Sequence, residues 1–380
     1  MGVLNYTKAH NAFRERLKDF IAKEITPFAD QWEADKIVPK EAWKKMGKAG
    51  FLATEVSEEY GGPGLDFLYS VIVSEEMIAS GQTGLAAGLH SDIIVPYIES
   101  FGSEEIKKKF LPGCASGDII TAVAMTEPGA GSDLASLETT AVEEGNEVVL
   151  NGTKTFISNG INCDLVIVAA TNPEIEDKHN AISLYLVEDG TPGFTRGKHL
   201  EKMGMYSQDT AELFFSDCRI PKSNMLGEKG IGFLMLMQKL QQERLVSAIS
   251  NVKAAELILE EAVEFCKNNT LNGKPISKHQ AIKFTLAELA TEVKLNRALL
   301  DQVILGHMQG DNVISETMMI KYSSSEMANQ LVDRVLDLFG EYGIQEENLI
   351  SRHFRDLRIV TIFAGTTEVM KTIIAQSMGL

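Results

Sequence analysis

Apolar residues recur at three- and four-residue steps from Tyr6 to about Gly117, with Phe13, Leu17, Phe20 and Ile21 as the first set and Lys, Arg and Glu between them. This is the pattern of amphipathic helices laid on a core. The run Gly61-Gly62-Pro63-Gly64 interrupts the block. Helices resume through Tyr69 to Met77, and another spans His90 to Phe101, ending near Gly102. At Ile119 the texture changes to short β-branched runs: Ile119 to Ala124, Glu147 to Leu150, Leu165 to Val168, Ile182 to Val187 and Ala211 to Phe215. Turn clusters such as Glu144-Gly145-Asn146 and Asp189 to Gly193 separate them, so strands are expected. From Gly230 the helical spacing returns, as in Leu257, Leu259, Ala262, Val263 and Cys266, and continues to Leu380.

The expected class is therefore α+β, in three parts. An N-terminal helical domain covers 1–118, a middle antiparallel β domain 119–226, and a C-terminal helical domain 227–380, whose length suits a four-helix bundle. A chain of 380 residues exceeds what one core usually organises, and no internal repeat subdivides it.

A formal charge of −17 argues against nucleic acid or an anionic membrane surface as the main partner. It also means that any anionic ligand needs a locally placed Arg or Lys. Cys114, Cys163, Cys218 and Cys266 have no metal-ligand or CxxC spacing, so reduced structural thiols and no metal are expected. The first residues resemble neither a signal nor a transit peptide, and no apolar run approaches a membrane span; a cytoplasmic location is expected. Gly2 is not read as a myristoylation site, because Thr7 falls one position late for that pattern.

Two loops carry candidate chemistry. Ala124-Met125-Thr126-Glu127-Pro128-Gly129-Ala130-Gly131-Ser132-Asp133 combines a tight Pro-Gly turn with hydroxyl donors, and Phe156-Ile157-Ser158-Asn159-Gly160 follows it. Taken alone, the first loop reads as a capped turn and Phe156 as a core aromatic. The paired loops, the α–β–α order and the stretch Arg355-Asp356-Leu357-Arg358 with Ile362-Phe363-Ala364-Gly365-Thr366-Thr367-Glu368 resemble the acyl-CoA dehydrogenase family over essentially the whole chain. The resemblance implies FAD as cofactor. Thr126 and Ser132 would lie at the flavin and its pyrophosphate, Phe156 over the isoalloxazine, Ser158 near flavin N5, and Thr366 and Glu368 at the adenosine part. It further implies an acyl-CoA substrate, an electron-transferring flavoprotein as acceptor, and a homotetramer.

Most members carry the catalytic glutamate where Ala364 stands, and alanine cannot accept a proton. A minority, the isovaleryl and long-chain types, carry it on a C-terminal-domain helix just before an arginine, as in Leu240-Gln241-Gln242-Glu243-Arg244. On helical spacing Glu243 shares a face with Leu236, Leu240 and Ser247, and burial there would raise its pKa toward that of a neutral-pH base. A solvated helix Glu beside Arg244 is the plainer reading. By resemblance, Glu243 would take the C2 proton while a hydride leaves C3 for flavin N5, giving a 2-enoyl-CoA. The Ala364 backbone N–H would hold the thioester oxygen, and Arg244, with Ser132 and Gly365, would line the substrate channel.

Three positions depart from the family. Asn269-Thr270-Leu271-Asn272-Gly273 replaces an Arg-x-x-Phe-Gly, and Asp337 to Gly343 replaces a Gln-x-x-Gly-Gly-x-Gly, both of which reach a neighbour's FAD. Asp92, in Ser91-Asp92-Ile93-Ile94-Val95-Pro96, is either a helix N-cap or a second carboxylate facing the substrate. The second option admits an alicyclic CoA ester with Asp92 as a base. The departures also admit a non-catalytic member that binds CoA esters or a partner protein.

Overall fold

The computed structural model describes residues 3–380, so Gly2 lies outside it. The N-terminal part is built from α1 (Lys8–Glu24), α2 (Ala29–Asp35), α3 (Lys40–Lys48), α4 (Phe67–Ala79), α5 (Val95–Phe101) and α6 (Glu104–Ser116). α1 and α6 begin or end where their sequence dictates. Thr7 and His10 form a capping box on α1; Ser103 caps α6, which stops at Gly117 in the left-handed region. Phe13, Leu17 and Ile21 of α1 point into one core with Trp43, Met46, Ile72 and Met77. α4 is apolar on all sides because it is enclosed: Ile72 and Val73 meet that core, while Phe67, Leu68 and Val71 meet the C-terminal helices. α3 reaches the end of α6 so closely that a Cβ on Gly47 would stand 2.2 Å from the Ser116 carbonyl carbon. Gly47→Ala is therefore expected to destabilise the chain by about 1–3 kcal/mol or more, read as a lower urea midpoint.

The helix expected over His90–Phe101 is present, but it opens with a π-helical turn, Leu89–Ile94, that runs straight into α5. Pro96 explains part of this. A proline in a helix has no N–H, so the carbonyl four residues back, that of Asp92, loses its donor. Gln242 Nε2 supplies the missing bond at 2.9 Å.

The middle part is a sheet ordered β6 (Phe194–His199), β7 (Thr210–Pro221), β3 (Glu147–Ser158), β2 (Thr140–Glu144), β4 (Leu165–Thr171), β5 (Ile182–Glu188) and β8 (Met225–Leu226). It departs from the antiparallel expectation in being mixed: β1 (Thr121–Ala124) pairs parallel with β4, which β2 also touches in parallel at a single residue pair. β4 and β5 read as unbroken apolar runs because both faces are covered. Leu165, Ile167 and Ala169 face the helical core, and Val166, Val168 and Ala170 face the outer half of the sheet. β2 and β6 had no legible signal, being short and charged. A four-residue helix, α7 (Lys178–Ala181), joins β4 to β5.

The C-terminal part holds α8 (Gly232–Asn268), α9 (Gln280–Gln309), α10 (Ile314–Phe339), α11 (Leu349–Asp356) and α12 (Thr367–Ser377). The bundle thus has three long helices and a short fourth, α12. α8 is the axis of the molecule. Its first turns, at Met235 and Leu236, pack on the sheet cluster; Leu245 and Ile249 pack on α4; Ile258 and Ala262 pack on α10. Glu243 sits where the first two of these contacts meet. Between α8 and α9, Asn272 and Gly273, with φ of 52° and 75°, turn a hairpin of β9 (Thr270–Leu271) and β10 (Lys274–Pro275). Asn269, where the family has Arg, closes α8 by donating from Nδ2 to the Phe265 carbonyl at 2.9 Å. Asp337 is exposed on α10.

Candidate active site

The loop after β1 is anchored by a buried ion pair. Lys154 Nζ on β3 donates to Glu127 Oε1 at 2.6 Å and to the Met125 carbonyl at 3.2 Å, and the Glu127 carboxylate also accepts the N–H groups of Glu138 and Thr139. The Lys154 side chain is 0% exposed and that of Glu127 4%. Glu127 and Ala130 exchange backbone bonds around Pro128-Gly129, which fixes the turn. Thr155 N–H donates to the Thr126 carbonyl at 2.9 Å, so the two signature loops are joined directly. Asp133 is the loop's cap, accepting from Ala135 N and Ser136 Oγ. Gly131 and Ser132 are exposed, and a Cβ on Gly131 would meet nothing.

Phe156 is not a core aromatic. It is 69% exposed and has φ of 56°, at the irregularity where β3 shifts register against β7. A bulky residue in the left-handed region, with its ring turned outward, is strain of the kind found at ligand sites. Ser158 follows, half-buried, opposite Thr210.

The second half of the site lies on α8. Leu236, Leu240 and Ser247 are all buried, as the helical stripe required, and Glu243 is half-buried with Oε2 enclosed and unpartnered. Burial pushes its carboxyl up to about 7, against the pull of Arg244 and Lys321. Arg244 is buried without a carboxylate partner; Nη1 touches Met318 Sδ at 3.2 Å and Nε has no acceptor. A Cβ on Gly365 would lie 3.5 Å from Arg244 Nε, so the Ala364–Gly365 turn stands against the guanidinium. Ala364 has φ of 53°, and among the described residues its N–H makes no hydrogen bond. Thr366 caps α12 by accepting from Val369 N–H at 3.3 Å, and Glu368 is exposed in the first turn of that helix.

Asp92 is not an N-cap. It lies inside the π-helical turn, 2% exposed, with Oδ2 unpartnered, and burial pushes it up to about 7. Enclosed polar atoms without partners cost free energy and are sparse in folded proteins. Here those of Asp92, Tyr97, Glu243, Arg244 and Ser247 fall on α8 and on the helical segment facing it. Tyr97 and Lys321 escaped the sequence reading. Tyr97 is a fully buried phenol on α5, raised well above its usual pKa by burial and by Glu243. Lys321 is a fully buried lysine on α10 whose Nζ holds the Val360 and Gly365 carbonyls and so supports the Ala364 turn. The legible signal was a lysine among Met318, Ile320 and Ser324, an otherwise uncharged helical stripe.

Ala130 packs in one cluster with Ile94, Val95 and Leu236, which draws the glycine loop, the Asp92 segment and α8 together. Thr366 and Glu368 join the Arg244 side. Among the described residues no hydrogen bond or ion pair ties them to the Thr126–Ser158 side.

Three family models match the chain: the acyl-CoA dehydrogenase N-terminal domain over residues 7–118, the middle domain over 122–218 and the C-terminal domain over 230–379. The chain is 41% identical over 374 residues to the mitochondrial long-chain specific acyl-CoA dehydrogenase of Rattus norvegicus, covering 98% of this chain and 87% of that one. It is 36% identical over 374 residues to an acyl-CoA dehydrogenase of Bacillus subtilis, covering 98% of each. The crystal structure of an acyl-CoA dehydrogenase from Geobacillus kaustophilus is similar with a TM-score of 0.97 at 48% identity, over 99% of both chains. With nearly its whole length matched, the chain belongs to the acyl-CoA dehydrogenase family of flavin-dependent oxidoreductases.

Proposed function

We propose that this protein removes a proton and a hydride from C2 and C3 of an acyl-CoA thioester, with Glu243 as the base, leaving a 2-enoyl-CoA. The observation that carries this reading is the half-buried Glu243, its Oε2 enclosed and unpartnered, beside the unpaired Arg244 and the Ala364–Gly365 turn. Members of the family are FAD-dependent. The residues present fit that group: an outward Phe156 at positive φ, an open Gly131, and the hydroxyls of Thr126, Ser132 and Ser158 around one rigid loop. These would hold the flavin and pyrophosphate, and Thr366 and Glu368 the adenosine part. When bound, FAD supplies the hydride acceptor.

The chain's own residues do the rest. Glu243 takes the C2 proton on its unpartnered Oε2. The unbonded N–H of Ala364 donates to the thioester oxygen as charge builds there, a role that needs no side chain. Lys321 keeps that turn in place by holding the carbonyls on either side of it. Arg244 adds buried positive charge beside Glu243. An electron-transferring flavoprotein is the proposed acceptor. Self-association, proposed as a tetramer, is supported by apolar side chains left exposed on the C-terminal part, including Phe284, Leu295 and Ile344. Asn269 and Asp337 offer no cation for a neighbour's pyrophosphate.

The test is anaerobic bleaching of the flavin by straight-chain, branched and alicyclic acyl-CoA esters, on wild type, Glu243→Gln and Asp92→Asn. A second reading, an alicyclic ester with Asp92 as a base, is favoured by the unpartnered Asp92 Oδ2; it would show as bleaching by the cyclic ester alone, lost in Asp92→Asn. A protein that never holds flavin would instead be a non-catalytic relative. Because Glu243 must be ionised to act, and its pKa is pushed up to about 7, the bleaching rate should rise with pH through that value. A rate flat from pH 5.5 to 8.5, on the order of three units spanning that pKa, would rule out a titrating base.

A further inference from the structure

Asp92 is the buried acid that a reaction at Glu243 leaves unused. Its backbone is held on both sides, since Pro96 frees its carbonyl and Gln242 Nε2 binds it at 2.9 Å. Its side chain lies against α8, with Oδ2 close to Val246, three residues beyond Glu243. The carboxylate converges with groups from two other helices on one point above Gly88. A Cβ at that glycine would lie 3.5 Å from Asp92 Oδ2, 3.3 Å from Ser74 Oγ on α4 and 3.5 Å from Val246 Cγ1 on α8. Ser74 and Val246 are each 6% exposed. Ser247, whose Oγ is also enclosed and unpartnered, lies four residues beyond Glu243 and so on the same face of α8. Val246 and Ser247 are one turn, about 5 Å, along the helix from the base. An acyl chain with C2 at Glu243 whose tail ran toward them would pass Asp92, whose Oδ2 shares the point at Gly88 with Val246.

Ser70 is the side chain whose hydrogen bond bears on the Asp92 carboxyl, and beside a purely aliphatic chain Asp92 Oδ2 and Ser247 Oγ would stay unpaired. Resting on the reading of Glu243 as the base, we infer that Asp92, with Ser74 and Ser247, is a hydrogen-bonding station for a hydroxyl on the acyl chain, so that the substrate class is a hydroxylated acyl-CoA. A hydroxyl both donates and accepts, and so pairs with the acid in either protonation state. A carboxylate-ended chain does not fit, because Glu55 faces Asp92 as a second acid, itself pushed up to about 8 by burial and by Asp92. Glu99, Lys239 and Asp66 are the other charges acting there.

The experiment is calorimetric titration of FAD-loaded Glu243→Gln protein with octanoyl-CoA and with octanoyl-CoA esters whose hydroxyl is moved carbon by carbon along the distal half. One hydroxylated ester should bind at least about tenfold more tightly than octanoyl-CoA. Asp92→Leu should erase that advantage, and Asp92→Asn should keep most of it. Gly88→Ala, which fills the point where the groups converge, should also reduce it, and serves if Asp92→Leu does not load flavin. Equal binding of all esters, or a preference that survives both Asp92→Leu and Gly88→Ala, overturns the station. A Glu243→Gln protein that still bleaches overturns the base reading instead, while the order of affinities still judges Asp92.

Discussion

Glu243→Gln should lower the rate of flavin bleaching by about 10²- to 10⁴-fold, or about 3–5 kcal/mol of barrier, while leaving flavin content and thioester binding close to wild type. Glutamine keeps the shape and the helix but cannot accept the C2 proton. Among the described residues no second carboxylate acts on Glu243 to replace it: the charges that bear on it are those of Arg244 and Lys321, both cations. Asp92, the other buried acid of this face, lies against Val246, one turn along α8 from Glu243. Stopped-flow absorbance near the flavin maximum checks this. A loss under about tenfold would mean that the proton leaves by another route.

The second large effect is on the glycine loop proposed to hold the cofactor. Lys154→Met should cost about 3–5 kcal/mol of stability, because it leaves the Glu127 carboxylate buried with two backbone N–H donors and no cation. The change strikes the root of the Thr126–Ser132 loop, so flavin should also be lost on gel filtration. The double variant Lys154→Met with Glu127→Gln should recover much of the stability, since a neutral pair of similar volume has less need of the ion pair. Urea unfolding of both variants measures it. A single variant within about 1 kcal/mol of wild type would show that the pair is dispensable.

The fold was legible wherever one periodicity ran long enough to be read. α1 and α8 declare themselves by three- and four-residue spacing, and β4 and β5 by β-branched runs between turns. β2 and β6 did not, because Thr140–Glu144 and Phe194–His199 are short and carry charged residues. The parallel pairing of β1 with β4 was equally hidden, since strand direction depends on how the chain returns to the sheet and not on composition. In the site, Glu243 was legible from the stripe Leu236, Leu240 and Ser247. Tyr97 was not, because what distinguishes it is the absence of solvent around a polar atom, which no local pattern records; Lys321 left only a faint trace, as a lone charge in an apolar stretch of α10. Asp92 falls between the two. Ser-Asp before an apolar run suggests a cap as readily as a site, and only the turn opened at Pro96 turns the carboxylate inward.

By itself the sequence determined the three-part order of the chain and its glycine loop, while the family resemblance pointed to the residue on α8 proposed as the base. The order and the loop follow from side-chain periodicity, glycine and proline placement and covalent chemistry, all of which are properties of neighbours along the chain. Tertiary structure alone decided which polar groups lose their water together: Asp92 beside Ser74, Glu243 beside Arg244, and Lys321 beneath the Ala364 turn. Residues from α4, the π-helical turn, α8 and α10 meet there although up to about 250 positions separate them in sequence, and the shifted pKa of each acid arises from that shared burial.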